Sequence, residues 1–236
     1  MVDPMRTVQR PSEEFQGSDP RAPFCRASVV GRLVRRLDLP EGAEVLEWGV
    51  GNGSTVGALC ALGMSVTLVE ADEPALERAL QSVRQSVTAV RADRPPETLA
   101  GRFALVILHA RDALGDQVAV TAREFLAPEG RVAFVRPVRV LQRPPPGLVE
   151  QWEQHWKVKL RTPQELLASL PAAGYEPDFA EALSLDEMDA LYAAAPEAMA
   201  EEAALYRMGA AGISFALVSG RRREPDEKPR PSRDHG

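Results

Sequence analysis

The sequence predicts an α/β fold with a doubly wound, mostly parallel sheet of seven strands and an added helical hairpin before the last strand. Short apolar runs alternate with helical patterns at the spacing typical of strand–helix–strand units with right-handed crossovers. One run, residues 103–108, is apolar throughout, which is typical of a central strand buried on both faces. Another run, residues 43–47, leads through three alternate glycines into a helical pattern.

Length and composition indicate one large globular domain. The chain has 236 residues, of which 44% are hydrophobic and 26% are charged, an ordinary globular balance. Its net charge of -6 argues against nucleic acid as a partner, because binding there needs Lys and Arg to neutralise phosphates. The sequence has no run of 18 apolar residues that would predict a membrane span, and residues 1–23 lack the apolar core of a signal peptide.

Cysteine usage favours a reducing, cytoplasmic setting. The two cysteines, Cys25 and Cys60, are too few for a disulfide framework, and they do not form the closely spaced pair that binds zinc. We therefore expect a cytoplasmic protein without a metal site.

The first elements after the N-terminal arm surround the glycines. Residues 25–39 place valine and leucine at helical spacing, which predicts an amphipathic helix with its arginines on a solvated face. A proline–acid–glycine sequence ends this helix and leads into the first strand, 43–47. The helix after the glycines covers residues 54–62 and stops at Gly63.

The second and third strands follow the same rhythm. Residues 65–69 form an apolar strand that ends at Glu70, and two acidic residues before Pro74 then start the next helix. The third strand covers residues 87–90. Prolines in the stretch 94–101 preclude a long helix before the fourth strand.

The remaining strands are separated by longer segments. A helix at 116–126 and a turn at 128–130 precede the fifth strand, 131–135. A proline-led segment then carries Leu148, Trp152 and Trp156 on one side of a short helix.

Thr162 caps a helix that ends near Leu170, with Glu165 at its third helical position, as in a capping box. The sixth strand covers residues 175–182.

The end of the chain predicts a helical hairpin, a last strand and a tail. Ser184 and Glu187 form a capping box that starts an Ala-rich hairpin over 184–209, broken at Pro196. The last strand covers 213–218. The domain thus spans residues 25–219, between a flexible N-terminal arm at 1–24 and a charged, disordered tail at 220–236.

The glycine turn has the character of a cradle for a nucleotide-like ligand. Glycine has no Cβ, so the backbone adopts positive φ and approaches a ligand closely, and a helix start offers free N–H groups. Glu70, at the end of the neighbouring strand, suits the two hydroxyls of a ribose. The G-x-G-x-G spacing and the preceding Glu47 differ from the G-x-G-x-x-G of dinucleotide sites. Tight packing alone is the structural alternative for these glycines.

These residues resemble the class I S-adenosylmethionine (SAM)-dependent methyltransferases over residues 25–182 and the last strand. The match consists of the acidic-x-G-x-G-x-G motif at 47–53, Glu70, and Asp93 after the third strand. The resemblance implies a seven-stranded sheet whose last strand is antiparallel and lies between the fifth and sixth. It also implies SAM as cofactor. The implied cofactor-binding residues are Glu47, Trp48, Gly49, Gly51, Gly53, Glu70, Ala71, Ala92, Asp93 and His109.

Residues that would serve the methyl acceptor are less sharply indicated. His109 follows the fourth strand below the expected methionine part of the cofactor, and histidine titrates near neutrality, so it is the candidate general base. The alternatives are a backbone contact to the cofactor or simply the end of a strand. Trp152, His155 and Trp156 are candidate substrate-binding residues, with helix packing as the alternative.

We therefore expect a methyltransferase that modifies O, N or C of a small-molecule metabolite. The segments 138–161 and 184–209 are candidates for a substrate lid or for the interface of a homodimer. The alternatives are a protein or peptide methyltransferase, a methyltransferase-like binding module without catalysis, and another enzyme that uses a nucleoside cofactor.

Overall fold

Strands and helices alternate along the chain in the computed structural model, which describes residues 5–8, 27–50, 53–81, 83–109, 116–140, 146–156, 158–193, 200–209 and 212–223. The strands in these ranges are β1 (Met5–Val8), β2 (Glu44–Trp48), β3 (Ser65–Glu70), β4 (Val87–Arg91), β5 (Phe103–Leu108), β6 (Leu126–Arg139), β7 (Tyr175–Ala182) and β8 (Ile213–Arg222). The α-helices there are α1 (Ala27–Arg36), α2 (Ser54–Ala61), α3 (Glu73–Gln81), α4 (Asp116–Ala122), α5 (Leu148–Trp156), α6 (Pro163–Ser169), α7 (Leu185–Ala193) and α8 (Ala200–Gly209). Single 3-10 turns occupy Glu97–Leu99 and Leu170–Ala173.

All of these strands join one sheet in the order β1-β4-β3-β2-β5-β6-β8-β7. Strands β2, β3, β4, β5 and β6 are parallel to one another. Strand β8 pairs antiparallel with both β6 and β7. The predicted α/β class and mostly parallel sheet are therefore confirmed. The antiparallel last strand lies between the fifth and sixth predicted strands, as the resemblance implied.

The edge strand β1 was not predicted. Met5–Val8 falls in the stretch that the sequence assigns to a flexible arm, yet its backbone pairs antiparallel with β4. The expectation of a flexible arm is wrong for these four residues, because the free edge of β4 offers unpaired N–H and C=O groups that a passing extended segment satisfies. The rest of the arm, residues 1–4 and 9–24, lies outside the described residues.

The sheet is covered on both faces, as a doubly wound fold requires. Helices α1, α2, α3, α5, α7 and α8 pack on one face, and α4 and α6 pack on the other. In β5, Leu105 and Ile107 contact the first layer, while Val106 and Leu108 contact the second. The prediction that this apolar run is buried on both faces is confirmed.

Strand β6 begins earlier than predicted because it contains a bulge, and it runs past the predicted end at residue 135 to Arg139, where it still pairs with β8. The sequence predicts a helix to residue 126 and a turn at 128–130, but α4 ends at Ala122 and β6 already begins at Leu126. Phe103 pairs with Leu126 and Leu105 pairs with Arg131, so residues between the two pairs bulge out of register. Glu129 takes φ 63° there. The predicted turn thus exists as an interruption within the strand.

We expect Gly130→Ala to destabilise the fold by about 2–3 kcal/mol, because an added Cβ overpacks the bulge. That Cβ would lie 2.8 Å from the carbonyl oxygens of Ala127 and Phe103, which are backbone atoms and do not rotate away. Denaturant unfolding measures the loss. Gly101→Ala is the control: φ is +69° but its Cβ would meet nothing within 4 Å, so only about 1 kcal/mol of backbone strain is expected. Equal losses in the two variants would contradict the steric argument.

Helix α1 is tied to the C-terminal part of the sheet by ion pairs. Arg32 lies 3.2 Å from Glu181 and 3.1 Å from Glu187, and Arg36 lies 3.0 Å from Glu181. The prediction that these arginines only face solvent is therefore incomplete, because Glu181 on β7 and Glu187 on α7 pair with them. These contacts hold α1 against β7 and α7.

The C-terminal elements follow the predicted capping signals. Thr162 and Glu165 form the capping box of α6, and Ser184 and Glu187 exchange backbone–side-chain hydrogen bonds at 2.9 and 3.2 Å at the start of α7. The hairpin is formed by α7 and α8, and the break at Pro196 lies outside the described residues.

The last strand runs further than predicted, to Arg222, so the charged tail does not begin at residue 220. Arg221 pairs with Glu129 at 2.5 Å and also with Glu176, and Arg222 donates to the Leu126 carbonyl oxygen at 2.5 Å. These partners on β6 and β7 are the physical reason that the arginines join the sheet. Residues 224–236 lie outside the described part of the chain. None of the helices in the described ranges combines the length and apolar character that crossing a membrane requires.

Candidate active site

The glycine turn lies at the carboxyl edge of the sheet, between β2 and the start of α2. Gly49 and Gly53 have φ 77° and 80°, values that favour glycine. The Gly49 N–H donates to the Val69 carbonyl oxygen at 2.8 Å, and the Gly53 N–H donates to the Val50 carbonyl oxygen at 2.8 Å. The backbone thus needs two of the three predicted glycines for its shape. Gly51 lies outside the described residues.

Glu70 holds this turn in place. One carboxylate oxygen accepts from the Val50 N–H at 3.1 Å, and the other accepts from the Asp72 N–H at 2.9 Å. Glu70 therefore connects the turn after β2 with the turn after β3. Each carboxylate oxygen has two lone pairs, so the same group keeps acceptor capacity for a ligand hydroxyl. The predicted role in ribose binding stays a prediction that this geometry permits.

Trp48 secures the chain that follows β4. Its Nε1–H donates to the Asp93 carbonyl oxygen at 3.0 Å, and its indole packs edge-on against Phe125 with ring centroids 6.2 Å apart. The Ala92 N–H donates to the Glu70 carbonyl oxygen at 3.1 Å. Trp48, predicted as a cofactor residue, thus supports Ala92 and Asp93 from below. Ala71 is exposed at the same edge.

Glu47 and His109 form a buried pair beneath the turn. The Glu47 side chain has no exposed surface, and its Oε1 lies 2.9 Å from His109 Nε2. The two atoms are within ion-pair distance but lack the alignment of a hydrogen bond, and neither Glu47 oxygen has another hydrogen-bond partner among the described residues. Burial raises the pKa of the Glu47 carboxyl, an effect that His109 partly offsets.

The backbone of β2 and the Cys60 thiol border this pair. The His109 N–H donates to the Trp48 carbonyl oxygen at 3.0 Å, which fixes its backbone beside β2. Burial, together with the Glu47 charge, raises the pKa of the nearby Cys60 thiol to about 11. Cys60 is therefore a neutral, inert neighbour near pH 7.

A small apolar cavity of about 30 Å³ lies next to His109. Helix α1 covers it with Val29, Val30 and Leu33, and the sheet supplies aliphatic and aromatic side chains below. Thr55 and His109 are the residues with polar side chains in this lining. Sequence reasoning treated α1 only as an amphipathic helix. The signal that could have pointed to the cavity is that α1 leads directly into the strand before the glycine turn.

The three predicted acceptor residues lie outside the lining of this cavity. Trp152 has no exposed surface and packs edge-on against Phe215, with ring centroids 6.3 Å apart, so it is a core residue. Trp156 also packs against Phe215, at 5.6 Å, and His155 Nε2 lies 3.2 Å from Glu202. Helix packing, the alternative considered for this trio, accounts for Trp152. Contact of His155 or Trp156 with an acceptor stays a prediction.

The described residues contain no group of three or more His, Cys, Asp or Glu side chains arranged to hold a metal ion. Among the described residues, the polar groups nearest the turn include Glu47, Glu70 and His109 and the backbone groups of the turn itself.

Solved structures with the same architecture are numerous. The structure of a geranyl diphosphate methyltransferase in complex with SAM matches with TM-score 0.63 at 20% identity, covering 83% of this chain and 85% of that chain. A SAM-dependent methyltransferase from Geobacter sulfurreducens, in complex with S-adenosylhomocysteine, matches with TM-score 0.61 at 19% identity, covering 89% and 94%. The chain has the methyltransferase fold. The fold that the glycine motif and Glu70 suggested is therefore confirmed.

The same fold also occurs in a protein with another described activity. The [4+2]-cyclase SpnF matches with TM-score 0.63 at 18% identity, covering 84% of this chain and 81% of that chain. No protein-family model matches the chain, and no curated protein is significantly similar to it in sequence. The fold alone thus leaves the reaction to be argued from the site.

Proposed function

We propose that the chain is a SAM-dependent methyltransferase that acts on a small-molecule acceptor with an apolar body. The observation that carries this proposal is Glu70, which accepts from Val50 and Asp72 and so places a carboxylate beside the glycine turn. This position, at the carboxyl edge of a doubly wound sheet, is where ligands of such folds bind.

The residues around the turn suit an adenosyl cofactor. Gly49 and Gly53 let the backbone approach the ligand closely, and Glu70 has acceptor capacity for the ribose hydroxyls. We expect Ala71, Ala92 and Asp93 to contact the adenine beyond Glu70. The methionine end would then lie toward His109. Gly51 belongs to this set but lies outside the described residues.

The cavity beside His109 suits one apolar group of the acceptor, because its volume of about 30 Å³ is close to that of a single water molecule; the rest of the acceptor would lie outside it. Its aliphatic lining favours an apolar body, because a charged group placed there would lose its hydration without a partner. Helix α1 forms one side of the cavity, and its ion pairs with Glu181 and Glu187 hold it there. A rigid apolar wall excludes water from the reacting atoms.

The chemistry required of the protein is mainly alignment. SAM, when bound, supplies an electrophilic methyl group for an in-line displacement. The cavity wall orients the acceptor atom toward that methyl group. His109 lies at the junction of turn and cavity, where it is placed to receive a proton from an acceptor that must lose one.

Two measurements test the proposal. Calorimetry on the full chain should detect binding of SAM and of S-adenosylhomocysteine but not of NAD. An array of apolar metabolites, incubated with the protein and SAM, should yield a product in which a methyl group replaces a hydrogen, detected by mass. If neither adenosyl ligand binds, the proposal is wrong.

The cyclase match defines the second candidate function. Binding of the adenosyl ligands, together with an isomerised product of unchanged mass and no methyl transfer across the array, would favour a cyclase-like role over a methyltransferase.

A further inference from the structure

The side chains of Glu47 and His109 face each other. This arrangement would not be needed if Glu47 only contacted the cofactor and His109 only ended a strand. Two ionisable side chains from adjacent strands lie 2.9 Å apart. Burying a carboxylate without a partner costs several kcal/mol, and His109 Nε2 is the polar group that the described structure sets against it. The buried position of Glu47 therefore requires a partner, and His109 supplies it.

We infer that Glu47 is a positioning residue that orients His109, and that His109 takes a proton from the acceptor during methyl transfer. This inference rests on the proposed function. It narrows the acceptor to an apolar molecule whose reacting atom carries a hydrogen that leaves as a proton, such as a hydroxyl group.

The orientation of the imidazole follows from burial. Nε2 is fully buried on the Glu47 side, yet the His109 side chain keeps 9% of its surface exposed and lines the apolar cavity. Nδ1 is not among the buried side-chain atoms without a partner, so in this proposal it is the nitrogen that the acceptor reaches. A proton on Nε2, directed at Glu47, leaves the Nδ1 lone pair available as the base.

The imperfect alignment of the pair fits this role. Hydrogen bonds of catalytic groups are often poorly aligned before the substrate binds and tighten in the reacting complex. The titratable groups that face Glu47 are His109, directly after β5, and the neutral Cys60 thiol on α2.

Glu47 is poorly placed to serve the cofactor directly. Its side chain has no exposed surface, so a cationic group of a ligand would reach it only after the residues around it rearranged. The resemblance assigns Glu47 to the cofactor, whereas the geometry points to His109 as its partner. The two roles predict different effects of the same substitution.

The step balances as follows. The hydrogen–acceptor bond breaks, its electron pair forms the new bond from the acceptor atom to the methyl carbon, and the proton goes to His109 Nδ1. The carbon–sulfur bond breaks with its electron pair going to sulfur, which neutralises the sulfonium. Glu47 stabilises the imidazolium that results.

The first test uses the protein without any acceptor. Nitrogen-15 NMR of the imidazole groups at pH 8 should find His109 in the tautomer with the proton on Nε2, and Glu47→Gln should shift the tautomer population. The chain has three histidines, so His109→Gln identifies the signal. Cys60→Ala is the matched control, since it alters a buried neighbour of Glu47 and keeps the carboxylate; its His109 tautomer should equal that of the wild type.

The second test separates positioning from cofactor binding. We expect Glu47→Gln to change the affinity for S-adenosylhomocysteine by less than about 3-fold, while kcat with an acceptor from the array falls about 100-fold at little-changed KM. The pH dependence of kcat should lose its rising limb in His109→Gln.

Other outcomes overturn the inference. An unchanged His109 tautomer in Glu47→Gln, or a large loss of S-adenosylhomocysteine affinity in that variant, would make Glu47 a cofactor ligand or a core residue. Failure of the wild type to bind either adenosyl ligand would refute the proposed function instead, and the tautomer measurement would still decide whether the pair exists.

Discussion

Replacing Glu70 by alanine should weaken binding of S-adenosylhomocysteine about 100-fold. The carboxylate is expected to accept from both ribose hydroxyls, and charged hydrogen bonds contribute about 1.5–3 kcal/mol each. The same substitution removes the acceptor of the Val50 and Asp72 N–H groups, so the turn also loses its preorganised shape. A loss of about 2.7 kcal/mol in binding free energy corresponds to the expected factor. Calorimetry at fixed ionic strength measures it.

The control for Glu70→Ala is Asp72→Ala. Asp72 is an exposed carboxylate at the same edge, so its removal changes the net charge equally but leaves the acceptor groups of Glu70 in place. We expect less than a 3-fold change in affinity. Glu70→Gln should lie between the two, since an amide keeps one acceptor oxygen. Undiminished binding in Glu70→Ala would remove the main support for the proposed function.

Local patterns were sufficient to predict the fold because each strand and helix carries its own periodicity. The apolar run of β5 and the turn residues around Gly49 can be recognised from the adjacent sequence alone, without knowledge of distant contacts. Glu70 was predictable for the same reason, since the end of one strand lies beside the end of the next in a parallel sheet. The bulge in β6 escaped prediction, because a turn signal inside a strand resembles a turn between two elements.

The pairing of Glu47 with His109 depends on strand register, which the sequence pattern did not specify. In the structure Glu47 lies opposite Ile107, and side chains alternate between the faces of a strand. His109, two residues beyond Ile107, therefore lies on the same face as Glu47. The sequence identified both residues as cofactor-binding but did not pair them with each other, because nothing local indicates which positions of β2 and β5 lie side by side.

The aromatic residues of α5 illustrate the converse problem. Trp152 and Trp156 have the spacing of one helix face, which fits a core helix and a substrate wall equally well. The burial of Trp152 and its packing against Phe215 assign that residue to the core, whereas contact of His155 or Trp156 with an acceptor stays a prediction. The same layer contains the buried carboxylate whose loss we expect to affect stability most.

Glu202→Ala should lower the free energy of unfolding by about 3 kcal/mol. Glu202 accepts from the Tyr192 hydroxyl at 2.6 Å and lies 3.2 Å from His155 Nε2, so one carboxylate on α8 joins α7 and α5. Tyr192 is only 4% exposed, and its hydroxyl would be left buried without this partner, at a cost of about 1–3 kcal/mol. The Tyr192 ring also stacks on Tyr206 at 4.5 Å, which limits its freedom to find another acceptor.

Denaturant unfolding of Glu202→Ala is best compared with Glu201→Ala. Glu201 is the exposed neighbour on the same helix and carries the same charge, so its removal should cost less than about 0.5 kcal/mol. S-adenosylhomocysteine affinity should be unchanged in both, because α8 contributes no residue to the cofactor site proposed above. Equal stabilities of the two variants would show that the Glu202 cluster is not a stabilising junction.

The contribution of Glu202 to the free energy of unfolding should change with pH in a defined direction. Burial raises the pKa of the Glu202 carboxyl above its ordinary value of 4.5, although the contacts with Tyr192 and His155 oppose the rise. The folded state therefore binds this proton more tightly than the unfolded state does, and the stabilising contribution of protonation is lost as the pH rises through the folded pKa. Glu202→Gln lacks this titration but keeps an acceptor for Tyr192. The stability of the wild type relative to Glu202→Gln should thus fall as the pH is raised from 4.5 toward 7, and a constant difference would mean that the carboxyl is not held in a desolvated site.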